Sequence, residues 1–358
     1  MTPTQVIVLA MPVFLAAIAL EFAVGLARGR NTYNLADSLS SLSLGLMFQL
    51  VGLFTKVFGI GLYTWAYEHL AWQQLPATAL WVWLTGLLLY DFCYYWLHRA
   101  GHRVSLLWAA HVVHHQSEEY NLSTALRQPG TGWLLGWLFY IPMALLGFPP
   151  LVFATVALID LLYQFWVHTR QVGRLGWFDR WFCSPSNHSV HHAVNDRYLD
   201  KNYGGILMLW DRLFGTFVEE DDLEPIVYGT RQPLRSLNPL WANLEVYAAL
   251  AHDSWHAQRW GDKLRVWWMP PSWRPADVAQ RFPRTAFDLH RPHFAPALSP
   301  IQSGWAMVLF ALALAASAAL LWRAPQLSAS TQGVLASALA AMLWHIGRFC
   351  TPRAPAAR

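Results

Sequence analysis

Eight histidines stand in three short runs whose spacing suits metal ligation. HRAGH places His98 and His102 four residues apart, HVVHH places His111, His114 and His115 at i, i+3 and i+4, and NHSVHH repeats that spacing with His188, His191 and His192. On a helix, residues three and four apart share a face, so each run can aim its imidazoles at one point. A lone pair at helical spacing is more often ordinary surface or core chemistry. With 15 histidines in 358 residues, however, one HxxHH is expected by chance about 0.03 times in this length. Two of them beside an HxxxH point to a metal site. His168, which ends LLYQFWVHT, is a ninth candidate, whereas His69, His252, His256, His290, His293 and His345 lack matching spacing.

A metal ion takes about four to six ligands, so this many imidazoles imply two ions. Such a donor set suits iron, zinc or copper rather than magnesium or calcium. Zinc hydrolysis needs only about three protein ligands and a water. Two non-haem irons, by contrast, can activate dioxygen and attack an unactivated C–H bond.

The elements that must position these rings are membrane helices. The chain is 55% hydrophobic and 13% charged, with a positive mean hydropathy, which is too apolar for an ordinary soluble enzyme. Apolar runs near the ~20 residues that a bilayer demands occur at 5–27, 40–64, 77–97, 304–322 and 331–347. Residues 132–168 form a longer apolar block broken at Gly147, Phe148, Pro149 and Pro150, which predicts two short helices in a hairpin. The first run has its basic residues, Arg28 and Arg30, behind it, unlike a cleavable signal, so a retained membrane helix is expected. With the N-terminus outside, 23 of the 25 Lys and Arg residues fall on the inner side, which places every histidine run at the cytoplasmic face. The expected fold is all-α: a polytopic membrane protein with about five full spans, a helical hairpin and a cytosolic histidine-rich helical cap. For a bacterial host the membrane is the inner one.

Four regions follow: 1–76, N-terminal membrane helices; 77–230, the di-iron domain; 231–303, a cytosolic or interfacial segment; and 304–358, C-terminal membrane helices. Around Trp255, Arg259, Trp260, Lys263, Trp267 and Trp268 the composition suits a segment lying on anionic headgroups, or a surface helix packed on the protein. The 21 tryptophans favour membrane interfaces. Cys93, Cys183 and Cys350 form no CxxC pair and no disulfide framework. The basic residues flank hydrophobic spans rather than forming a readout face, so nucleic acid is excluded as a partner. Asp91, Asp196 and Asp200 are candidates to orient the imidazoles through their other ring nitrogen, with Asp211 a further one; Asp91 could instead hydrogen-bond two helices.

HRAGH, HVVHH and NHSVHH resemble the histidine boxes of the fatty acid hydroxylase and sterol desaturase superfamily. EEYNLSTALRQ from Glu118, LLYQFWVHT from Leu161 and YLDKNYGGILMLWDRLFGTF from Tyr198 are similar to its alkylglycerol monooxygenase branch. The resemblance covers about residues 80–230. It implies a cytosolic histidine-bound di-iron centre in a mixed-function oxidase that inserts oxygen beside an ether or along an acyl or sterol chain. Its ligands map onto His98, His102, His111, His114, His115, His188, His191 and His192, with His168 as the additional family histidine. The chain departs at Asn187, where many relatives carry a further histidine, and at Gln164, where some hydroxylases carry a ligand. That branch resembles enzymes that use tetrahydrobiopterin, but no pterin site is identifiable in the sequence, and another external electron donor fits as well. The leading expectation is a lipid hydroxylase with dioxygen, a membrane lipid and an electron donor as partners. Desaturation by the same site, and a non-enzymatic membrane metal-binding or transport protein, are the alternatives. Transport predicts polar ligands strung through the bilayer midplane, whereas these histidines gather at one face.

Overall fold

The computed structural model describes residues 2–351; Met1 and 352–358, with Arg353 and Arg358 of the charge count, lie outside the described residues. It is all-helical, and among the described residues the only β pairing is two isolated bridges, Phe182 with Leu207 and Ala193 with Tyr228. Helix α1 (Pro3–Ala27) starts from a Thr2 capping box, which satisfies two of the amides that a helix start leaves free. Helix α2 (Leu35–Leu70) follows and begins on an Asn34 cap. Next come α3 (Leu80–Arg103), α4 (Ser105–His115), the single turn α5 (Leu122–Ala125), and a hairpin whose helical parts are α6 (Ile141–Leu145) and α7 (Pro150–Trp166). Three short helices, α8 (Phe178–Trp181), α9 (Pro185–His191) and α10 (Leu209–Leu213), precede α11 (Pro239–His256), α12 (Trp260–Trp268) and α13 (Ala276–Arg281). The chain closes with α14 (Pro300–Arg323) and α15 (Ala329–Cys350).

Among the described residues four helices are long and apolar enough to cross a membrane: Thr4–Ala27, Leu35–Leu70, Pro300–Gln326 and Ala329–Cys350. The protein is an integral membrane protein. The run expected at 77–97 is α3, 24 residues long; Tyr90, Asp91, Tyr94 and Tyr95 make it more polar than those four. Helix α2 is longer than the expected 40–64. At about 1.5 Å per residue its 36 residues exceed a ~30 Å hydrocarbon core. Its first turns therefore stand in the histidine cap, where Asp37, Ser40, Ser41 and Ser43 are buried.

The hairpin differs from two plain helices. Its first arm is two 3₁₀ turns, Gly132–Leu134 and Gly136–Tyr140, before the five-residue α6, because Gly132, Gly136 and Pro142 interrupt helical hydrogen bonding. Its tip reaches the far end of the molecule: Trp72 N donates to Leu145 O at 2.9 Å and Leu75 N to Gly147 O at 3.0 Å. Gly147 sits at φ +91°, and a Cβ there would lie 2.0 Å from Gln73 O, so the turn needs glycine. The two largest apolar cores both draw on α2. One joins α2, α14 and α15 through Leu39, Leu46, Phe310 and Leu343; the other joins α2, α3 and the hairpin through Tyr63, Val82, Met143 and Val152. Exposed Trp65, Trp72, Trp81 and Trp322 gather at the tip end, and Trp177, Trp181, Trp260, Trp268 and Trp305 at the other, as in two interfacial aromatic belts.

Candidate metal centre

All nine candidate histidines converge at the end of the bundle opposite the hairpin tip, but in two groups rather than one per run. His98, His102, His111, His115 and His191 form one group; His114, His168, His188 and His192 form the other, and within each group the ligating atoms lie within 4.8 Å of one another. The expectation that each run aims at one point holds for His98 and His102 and is corrected for the two HxxHH runs. Successive helical residues are turned by about 100°, so adjacent His114 and His115 face different groups, as do His191 and His192. The two HxxHH runs are seams between the groups. His115 and His192 stack across the seam with ring centroids 4.3 Å apart.

Backbone carbonyls orient the rings. His98 Nδ1 donates to Tyr203 O (2.8 Å), His191 Nδ1 to Lys201 O (2.9 Å), His114 Nδ1 to Arg127 O (3.1 Å) and His168 Nδ1 to Gln164 O (2.7 Å). Because a carbonyl only accepts, each of these rings presents an unprotonated Nε2. Burial, reinforced by neighbouring imidazoles, pushes His111, His115, His168, His188, His191 and His192 well below the ordinary histidine range. Burial likewise takes His114 down to about 4. His114 and His168 therefore point two lone pairs at each other across 3.1 Å, with no proton between them. A shared cation resolves that repulsion. Nitrogens about 2.1 Å from one ion and about 90° apart are separated by about 3.0 Å, and neighbouring Nε2 atoms lie at such distances, from 3.0 Å for His188–His168 to 3.2 Å for His191–His115, the other ligating atoms of each group lying within 4.8 Å. His102 Nε2 is buried without a hydrogen-bond partner, which also fits a ligand nitrogen. The donor set fits two metal ions.

The loop after α9 is shaped to deliver two of these carbonyls, those of Lys201 and Tyr203. Asp200 (φ 59°) and Asn202 (φ 55°) adopt the left-handed conformation, which Asp and Asn tolerate better than other side chains. Asn202 Nδ2 donates to Asn187 O and Val218 O. Asp211 accepts from Tyr203 N (2.8 Å), Gly204 N (2.7 Å) and Thr216 Oγ1 (2.7 Å). Asp91 also holds this loop, accepting from Ile206 N (2.7 Å), Leu207 N (3.2 Å) and Trp210 Nε1 (2.8 Å). These bonds tie α3 to the loop and none of them involves a histidine. Asp200 is the one named carboxylate that meets a ring, His102 Nδ1 at 3.5 Å, and it also takes Arg103. Asp196 is exposed and pairs with Arg231, away from the histidines. Asp91→Ala strands three donors, each costing about 1–3 kcal/mol. It is expected to cost about 3 kcal/mol or more, read as a lowered thermal unfolding midpoint in detergent.

Two residues outside the sequence expectations, Arg127 and Glu21, support the site. Arg127 is 1% exposed; its Nε donates to Val113 O at 2.7 Å and its guanidinium lies 3.9 Å from Asp37, while its own carbonyl holds His114. Glu21 of α1 accepts from Leu122 N at 2.8 Å and from the Tyr33 and Thr169 hydroxyls. A lone carboxylate in an apolar run was the available signal for Glu21; the Arg127 carbonyl leaves none. Asn187 turns away from both groups to donate to Asp179 O and Phe182 O, and the Gln164 side chain faces Tyr94 and Asp160 rather than a histidine group.

A cavity of about 350 Å³ opens beside both groups. His111 of the first group and His114 and His168 of the second line it together with apolar side chains, Met11 and Phe14 of α1, Leu42 and Leu46 of α2, and Phe310 and Leu314 of α14, and with the polar Gln49, Gln128, Asp160 and Gln164.

The fatty acid hydroxylase family model matches residues 83–216, the stretch that carries all nine histidines. The alkylglycerol monooxygenase of Danio rerio is 38% identical over 311 residues, covering 85% of this chain and 68% of that protein. The human one is 35% identical over 314 residues, 86% of this chain and 69% of that protein. An ornithine lipid hydroxylase of Rhizobium tropici is 31% identical over 140 residues, 37% of this chain and 40% of that protein. No solved structure matches the chain. From the two histidine groups and these similarities together, the chain belongs to the fatty acid hydroxylase family and is similar to its alkylglycerol monooxygenases over most of its length.

Proposed function

We propose that this protein is a membrane lipid monooxygenase with a di-iron centre. His98, His102, His111, His115 and His191 would hold one iron, and His114, His168, His188 and His192 the other. Bound there, a pair of irons would supply dioxygen activation and abstraction of hydrogen from an unactivated C–H bond. The observation that carries this reading is the cavity: it runs from apolar side chains of α1, α2 and α14 to histidines of both groups, so an alkyl chain entering from the bilayer meets the centre end-on. The chain's own residues do the rest. Carbonyls of residues 127, 164, 201 and 203 fix the rings, and the buried cap around Tyr120, Val190 and Tyr203 keeps bulk water from the oxidant.

In the overall reaction one oxygen atom of dioxygen enters the lipid as a hydroxyl and the other leaves as water, which requires two electrons and two protons from an external donor. Tetrahydrobiopterin is the first donor to test, and alkyl-ether lipids are the first substrates, following the names of the relatives. The connections rich in Lys and Arg share the histidine end of the bundle, which supports a cytoplasmic active site, in the inner membrane for a bacterial host. Residues 77–230 would be the catalytic domain. Residues 231–303 would lie at the interface: Trp255, Trp260, Leu264 and Trp268 are exposed there beside Arg259 and Lys263.

Full-length protein expressed in iron-replete medium is expected to carry close to two irons per chain. In cells given labelled dioxygen, lipid mass spectrometry is expected to show a lipid that gains one labelled oxygen only when the gene is present. Unchanged lipids, or stoichiometric zinc in protein that lacks activity after iron loading, would overturn the proposal.

A further inference from the structure

Two carboxamides interrupt the apolar lining of the cavity. Leu42, Gly45, Leu46 and Gln49 line it from α2 at the i, i+3, i+4, i+7 spacing of one helix face, so Gln49 continues the stripe that faces the cavity. Beside that stripe runs the segment that leaves α5. Leu126 O lies 2.7 Å from where a Cβ on Gly45 would stand, and a Cβ on Gly130 would lie 3.6 Å from Val51 Cγ2. Residues 126–130 therefore follow α2 and carry Gln128, which also lines the cavity, past Phe48 and Gln49. Gln128 precedes Pro129, which favours extended backbone, and adjacent side chains of an extended segment point to opposite sides. The Arg127 side chain turns into the buried cap, to Val113 O and Ser40, so that of Gln128 turns toward the cavity. Each amide is oriented by a partner with a single role. Gln128 Nε2 donates to Ala125 O at 2.9 Å, and a carbonyl only accepts, which leaves Oε1 over. Lys56 Nζ donates to Gln49 Oε1 at 2.7 Å, and an ammonium only donates, which leaves Nε2 over. The Lys56 stem makes that bond by folding back across Gly52, where a Cβ would stand 2.8 Å from Lys56 Cε. Among the described residues neither free end has a hydrogen-bond partner, and both keep surface that a small polar group can touch.

We propose that Gln128 and Gln49 bind the hydroxyl-bearing end of a lipid, a hydroxyl donating to Gln128 Oε1 and a lipid oxygen accepting from Gln49 Nε2. A hydroxyl can do both. An ionised carboxylate only accepts and would set its lone pairs against Gln128 Oε1, and a quaternary ammonium offers neither role. Gln128 follows Arg127, whose carbonyl holds His114, so a hydroxyl held there keeps the carbons next to it near the second histidine group. Binding by the pair needs no metal; its consequence for turnover rests on the lipid-oxygenase reading.

The test is photo-cross-linking of the full chain in phosphatidylcholine nanodiscs. The probe is radiolabelled hexadecanol with a diazirine on its chain, read as label on peptides of the cavity wall. Unlabelled hexadecanol and hexadecyl methyl ether compete at equal mole fractions in the bilayer; the ether keeps the chain and the acceptor and loses the donor. In the wild type the alcohol is expected to compete about fivefold better, in the range of one hydrogen bond. Gln128→Met, checked by circular dichroism and metal content, is expected to bring the two competitors within about twofold of each other. Gln49→Met removes a donor that either oxygen can take, so labelling should fall about threefold or more while the alcohol keeps its lead. Equal competition in the wild type overturns the proposal without any variant, and so does a folded Gln128→Met protein that keeps the lead or a folded Gln49→Met protein labelled as well as the wild type. A lead that depends on Gln128, with no oxygen insertion into any lipid, would sink the oxygenase reading instead.

Discussion

Replacing His114 and His188 together by Ala is expected to leave about one metal per chain, whereas replacing the adjacent pair His114 and His115 is expected to leave none. The first pair belongs to a single four-histidine group, so removing both members destroys one site and spares the other. The second pair straddles the seam, and each substitution takes a ligand from a different group. Single ligand losses should each lower lipid oxygenation about 100-fold or more, since even groups that only orient a ligand contribute about 10–100-fold to metal affinity or activity. Metal analysis of the purified double variants decides the matter. If His114→Ala with His188→Ala loses both metals, or the adjacent pair retains one, the two-group arrangement is wrong.

A second large effect is expected from Ala157→Trp. Ala157 is one turn before Leu161 on the cavity wall formed by α7, and an indole there fills space that an alkyl chain would need. The rate with long-chain lipids should fall about 100-fold or more, as expected when a substrate is held out of reacting distance, while metal content stays unchanged because Ala157 packs on the core of α2, α3 and the hairpin and belongs to neither histidine group. Short-chain probes should be affected less. Unimpaired turnover of a long-chain lipid by a folded, metal-loaded Ala157→Trp variant would show that the lipid approaches by another route.

The histidines were legible because metal chemistry restricts residue type and helical geometry restricts spacing, so two HxxHH runs and an HxxxH carry information that composition cannot. The membrane helices were legible because a bilayer demands length and apolarity together, and α1, α2, α14 and α15 supply both. Other features had weaker traces. The glycines and proline that break the first arm of the hairpin are visible in the sequence, yet whether a broken segment stays helical depends on what it packs against. Asp91 stood out as a carboxylate within an apolar run, but its partners, two backbone amides and the Trp210 indole more than a hundred residues away, do not.

By itself the sequence determined that this is a helical membrane protein, that its imidazoles gather at one end of the bundle, and which family its motifs resemble. Tertiary structure alone decided how those imidazoles are shared. An i, i+3, i+4 run lies near a common face but spans an arc wide enough for its last two members to serve different centres, and only the placement of α3, α7 and α9 around α4 settles which ring joins which group. It decided the orienting partners as well, because carbonyls of Arg127, Gln164, Lys201 and Tyr203 do that work and a carbonyl leaves no mark on residue identity. The cavity is of the same kind: it is the space left between α1, α2, α7 and α14, a property of their packing that no one segment contains.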